Sequence, residues 1–72
     1  DYQGKEIAIK TQYAWDQKFS STINVVLGNE WNAGNLSYHL KSRPVWEGIV
    51  EREKLDQLKD FMCLDNICVG SR

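Results

Sequence analysis

The chain has 72 residues, enough for one small domain and too few for two. Hydrophobic residues make up 42% and charged residues 26%, a balance that excludes a disordered chain. Nine Lys and Arg against ten Asp and Glu leave a net charge of -1, which argues against a nucleic-acid module, because such modules concentrate positive charge.

The chain opens on Asp1 with no basic, apolar, small-residue leader pattern; either a leader has been removed or the segment was cut from a longer protein, and the second is the expectation. Gly4 to Phe19 reads as a helix whose inner face is Ile7, Thr11, Ala14 and Trp15, at i, i+4, i+7 and i+8. After Ser20-Ser21, the run from Ile23 to Gly28 is β-branched and apolar, the pattern of a buried strand. Its Val25-Val26-Leu27 core, like every purely apolar run in the chain, falls far short of the roughly 20 residues that span a bilayer. Asn29 to Asn35 reads as a loop leading into a second helix with Ala33, Leu36 and Leu40 on its buried face. Pro44 disfavours helical backbone before it, so that helix should end near Ser42. Val45-Trp46 is a short strand. Leu55, Leu58, Phe61 and Met62 give Glu51 to Met62 the pattern of a third helix, with Asp56 and Lys59 placed to pair at i, i+3. Asp65-Asn66 is a turn into a last strand, Ile67 to Gly70. Strands alternating with helices define the class as α/β: one domain over residues 1–72, in two or three layers. About three helices pack on a short, mainly parallel sheet.

The densest polar and aromatic cluster lies between Gly28 and Asn35, at a strand end where open α/β sheets bind ligands. Trp31 is suited to stack on a sugar ring, with Glu30 and Asn32 bonding its hydroxyls and Asn35 completing the set. The competing reading has Trp31 capping the sheet edge while the asparagines form the turn and the helix cap. The glycines match neither the dinucleotide fingerprint nor the phosphate loop, so no cofactor is expected. His39 reads as a surface residue, with no serine or cysteine placed beside it for a nucleophilic triad. Glu30 and Glu47 bracket the second helix, but nothing fixes their separation. Asn35-Leu36-Ser37 matches the short glycosylation sequon. No catalytic residue emerges. Cys63 and Cys68 are the two cysteines; with only His39 as a further soft ligand they do not form a metal site. A local disulfide across the turn and a pair of buried reduced thiols both remain open.

The stretch Asn24 to Trp46 resembles the C-terminal segment of bacterial polytopic membrane glycosyltransferases of the family 39 type, relatives of the protein mannosyltransferases. The positions that carry the resemblance are Gly28, Leu36, Tyr38, Leu40, Arg43 and Pro44, a strand ending in Gly, a Leu-x-Tyr-x-Leu helix and an Arg-Pro dipeptide. Such enzymes transfer a sugar from a polyprenyl-phosphate carrier at the periplasmic face of the bacterial inner membrane. Their catalytic carboxylate lies in an early periplasmic loop, which this chain lacks. The resemblance therefore implies a soluble, non-catalytic accessory domain. Its partners would be the transmembrane part of its own parent and a glycan or lipid-linked acceptor. The oxidising periplasm favours a Cys63–Cys68 disulfide. The alternative is a free-standing secreted or periplasmic interaction module anchored by exposed Trp15, Trp31 or Trp46. A self-sufficient hydrolase relying on Glu30 or His39 is the weakest reading.

Overall fold

A computed structural model describes residues 2–72. Helix α1 spans Tyr2–Lys18, and its buried stripe is Gly4, Ala8, Thr11 and Trp15. Thr11 and Trp15 match the expected inner face. Ile7, by contrast, is 54% exposed and Ala14 only half-buried. Small side chains along the stripe let α1 approach a second helix closely, and that approach turns Ile7 outward. Trp15 closes the stripe with no exposed surface, its indole N–H donating to the Ser21 carbonyl at 2.7 Å.

Strand β1, Val25–Leu27, is buried throughout. Val26 faces Ala8, Trp15, Ala33, Leu36 and Leu40, whereas Val25 and Leu27 face Leu55 and Cys68 on the other side. A strand covered on both faces needs an unbroken apolar run, and this one has it. Helix α2 spans Glu30–His39 and carries the chain to β2, Val45–Trp46, which pairs in parallel with β1. Ala33, Leu36 and Leu40 are buried, as their spacing predicts.

The expected loop at Asn29–Asn35 is instead the cap and the start of α2. The Asn29 side chain caps the helix by accepting from the Asn32 N–H at 2.8 Å, so the polar run forms a cap and two turns. The helix also stops before Ser42. Leu40 is already extended and buried, and a turn with Arg43 at φ 49° follows. Ser42 holds that turn by donating its hydroxyl to the Ile23 carbonyl at 2.6 Å, ahead of Pro44.

The expected third helix is the largest departure. Helix α3 is a single turn, Arg52–Leu55, whose N-cap Glu51 makes no side-chain cap bond, and Asp56 pairs with Arg52 at 3.3 Å. Strand β3, Asp60–Leu64, follows and forms a hairpin with β4, Ile67–Ser71. Phe61 packs with Leu55, Leu58, Val25 and Leu27, whereas Met62 packs on the opposite, α1/α2 side. A helix would place these neighbours on one flank; pairing with β4 sends them to opposite faces.

The sheet order is β2-β1-β4-β3. The α/β class and three helices hold, but the sheet is mixed: β1–β2 is parallel, while β1–β4 and β3–β4 are antiparallel. The hairpin replaces the helical crossover that a parallel third strand would need. Helices α1 and α2 cover one face and α3 part of the other.

Gly70 is required where β3 begins. A Cβ there would lie 2.5 Å from the Leu58 side chain and 3.0 Å from the Asp60 carbonyl. Gly70→Ala is expected to cost about 1–3 kcal/mol through overpacking, read as a lower urea midpoint. An unchanged midpoint would show that Leu58 yields freely.

Candidate functional site

The N-terminal halves of α1 and α2 and the tip of the β3–β4 hairpin enclose a surface groove of about 560 Å³. Helix α1 contributes Gln3, Gly4 and Ile7, and α2 contributes Trp31, Asn32 and Asn35. The hairpin tip, Leu64 to Ile67, forms the third wall. Trp31 is 79% exposed, so its ring is a free platform and does not cap the sheet. Asn32 and Asn35 stand on the same helix at i, i+3, which turns both amides toward one side. Glu30 lines an adjoining hollow with Trp31, Gly34 and Asn35. The four ligand-contact residues picked from sequence thus gather around Trp31, three in the main groove and Glu30 beside it.

Ile7 and the hairpin tip complete the groove. The helical pattern assigned Ile7 to the core, and its exposure is the sign of its place here. Asp65-Asn66 forms the turn as expected, with Asp65 at φ 57°, a conformation that aspartate tolerates better than most residues. Its arrival opposite Trp31 follows from sheet order, which no local pattern encodes.

The positions that carry the family resemblance divide into two groups. Leu36 and Leu40 are core residues, and Gly28 and Pro44 are buried. Tyr38 is 62% exposed and holds the Arg43 guanidinium 4.8 Å above its ring, within cation–π range. His39 stacks edge-on against Tyr38. Desolvation, with the positive charges of Arg43 and Lys5, holds its pKa below the ordinary imidazole value.

Trp15 and Trp46 are unsuited to anchor a partner. Trp15 lies in the core, and half-buried Trp46 donates its indole N–H to the Gly28 carbonyl at 2.8 Å. Glu47 is engaged by Arg72, whose guanidinium grips both carboxylate oxygens, so it is not free to pair with Glu30 in acid–base work. Arg72 also holds Glu47 below the usual carboxylate range. A lowered carboxyl pKa stabilises the fold above the ordinary value of 4.5, and that contribution is lost as pH falls through the folded value. Glu47→Gln is therefore expected to lower the urea midpoint at pH 7, with the gap to the parent protein closing on acidification. A gap independent of pH would exclude this linkage.

Cys63 and Cys68 face each other across the hairpin and form a disulfide, with Cα atoms 4.0 Å apart. Among the described residues, no group of three or more His, Cys, Asp or Glu is placed to hold a metal ion, and no helix is long and apolar enough to cross a membrane. No family model, no curated protein and no solved structure matches the chain.

Proposed function

We propose that this chain is a non-catalytic, glycan-binding accessory domain of a membrane glycosyltransferase, one that transfers a sugar from a polyprenyl-phosphate carrier at the periplasmic face of a bacterial inner membrane. The observation that carries the binding reading is the groove with Trp31 as its exposed wall. An exposed indole beside two carboxamides suits a sugar, whose apolar face stacks on a ring while its hydroxyls meet amide donors and acceptors. The volume lies within the range of small-ligand sites. The parent enzyme, its membrane-spanning partner segment and the periplasmic location rest on the resemblance at Gly28, Leu36, Tyr38, Leu40, Arg43 and Pro44.

Titration with α-mannobiose, followed by amide and indole NMR shifts, tests the binding reading. Shifts confined to Trp31, Asn32, Asn35 and the hairpin tip are expected. Silence at saturating sugar would leave Trp31 without a glycan role and favour the free-standing interaction module. The coding sequence around this segment tests the parent. Several apolar spans of about 20 residues upstream of Asp1 are expected, and a parent without them overturns the assignment.

A further inference from the structure

We infer that the Cys63–Cys68 disulfide is a redox-sensitive clasp on the groove: it orders the wall that faces Trp31, so that reduction weakens ligand binding while the fold persists. The inference rests on the glycan-groove reading for its ligand, but not for its mechanics. The four residues that the disulfide closes into a loop, Leu64, Asp65, Asn66 and Ile67, are the four that the hairpin contributes to the groove.

Apart from the disulfide, the tip is held by the Leu64–Ile67 strand pair and by Ile67, which packs against the α1/α2 side of the core. Leu64, Asp65 and Asn66 are exposed, so no side-chain burial anchors the turn, whose left-handed Asp65 backbone is one that aspartate tolerates in a turn. Ile67 is seated against Gly28, where an added Cβ would approach its side chain to 3.1 Å and the Asn66 carbonyl to 3.4 Å. Below the disulfide the hairpin is secured independently. The pairs Met62–Val69, Phe61–Gly70 and Asp60–Ser71 continue the ladder, with Met62 packed on one face of the sheet and Phe61 on the other. Opening the S–S bond therefore removes the tip's covalent tie, leaving it on the single Leu64–Ile67 pair and the seat of Ile67, while the ladder below the disulfide stays in place.

The two half-cystines differ in exposure: residue Cys63 is exposed and residue Cys68 is only 2% exposed. A dithiol reductant attacks Cys63 Sγ through its thiolate; the S–S bond breaks, and Cys68 leaves as a thiolate and takes up a proton. The reductant's second thiolate attacks the mixed disulfide, releasing Cys63 as a thiol after protonation and leaving the reductant as a disulfide. Two electrons and two protons pass to the protein.

The test compares the oxidised chain with the same chain held reduced in dithiothreitol and with the Cys63→Ser/Cys68→Ser double variant. Backbone order parameters at Leu64, Asp65 and Asn66 are expected to fall from about 0.85 to below about 0.6, with Val26 and Val69 staying rigid. The affinity for α-mannobiose is expected to fall about tenfold, as ordering the loop becomes a cost of binding. An equally rigid tip after reduction overturns the clasp, and so does loss of shift dispersion throughout the chain, which would make the bond a requirement of the fold. A loosened tip with equal sugar affinity in both states overturns its control of the groove. A loosened tip with no sugar binding in either state overturns the glycan reading and leaves the clasp supported.

Discussion

Trp15→Ala is expected to destabilise the chain by about 3–5 kcal/mol, the range for deleting a fully buried large aromatic. The indole is wholly enclosed, packs within 4.5 Å of the Phe19 ring and joins α1 to the sheet through Val26 and Val69. Its N–H also satisfies the Ser21 carbonyl, and Ser21 donates its hydroxyl to Asp60 at 2.7 Å. The bond thus positions the segment that tethers α1 to the start of β3. A chain of this length has a total stability of roughly 4–11 kcal/mol, so the variant lies near the edge of folding. Urea denaturation followed by far-UV circular dichroism reads the loss. Trp15→Phe retains part of the packing and removes the donor, and should fall between the parent and the alanine variant. A loss below about 1 kcal/mol for Trp15→Ala would mean that the cavity collapses almost completely.

Trp31→Ala is expected to do the reverse: reduce α-mannobiose affinity about 30-fold while leaving stability nearly unchanged. The ring is mostly solvated, so its removal forfeits little core packing, and surface changes of this kind stay within about 0.5 kcal/mol. An aromatic anchor contributes about 2 kcal/mol to binding, which corresponds to that fold-change. Isothermal titration and a paired urea curve separate the two effects. If affinity stays at the parent value, stacking on Trp31 does not hold the sugar. A large fall in stability would instead make Trp31 part of the packing.

The contrast between Trp15 and Trp31 marks how far local pattern reaches. Both are tryptophans in helical segments. Trp15 sits at helical spacing from Thr11, so its burial is legible, although the stripe runs through Ala8 and Gly4 and not through Ile7 and Ala14. Trp31 stands among Glu30, Asn32 and Asn35, a setting that fits a sheet-edge cap as well as a solvated platform, and only the fold leaves it exposed. The helix it occupies was less visible, because Asn and Gly suit a loop and also suit a cap followed by a turn. Packing of Ala33 and Leu36 against α1 and β1 decides between them, and offsets the roughly 1 kcal/mol that Gly34 costs in a helix.

Residues 51–62 show where the reading fails. Leu55, Leu58 and Met62 have helical spacing, and no local signal opposes it. The alternation of Phe61 and Met62 becomes meaningful only once β4 lies alongside, with Cys63 opposite Cys68. A strand's hydrogen bonds close on a partner elsewhere in the chain, whereas a helix satisfies its own backbone. Helix α1, the buried β1 run, the Asp65-Asn66 turn and the α/β class therefore follow from neighbouring residues. The mixed sheet, the outward turn of Ile7 and the meeting of the hairpin tip with Trp31 depend on contacts between distant segments. A net charge of -1 can be read without the fold, but the groove exists only because tertiary packing brings three separate segments to its walls.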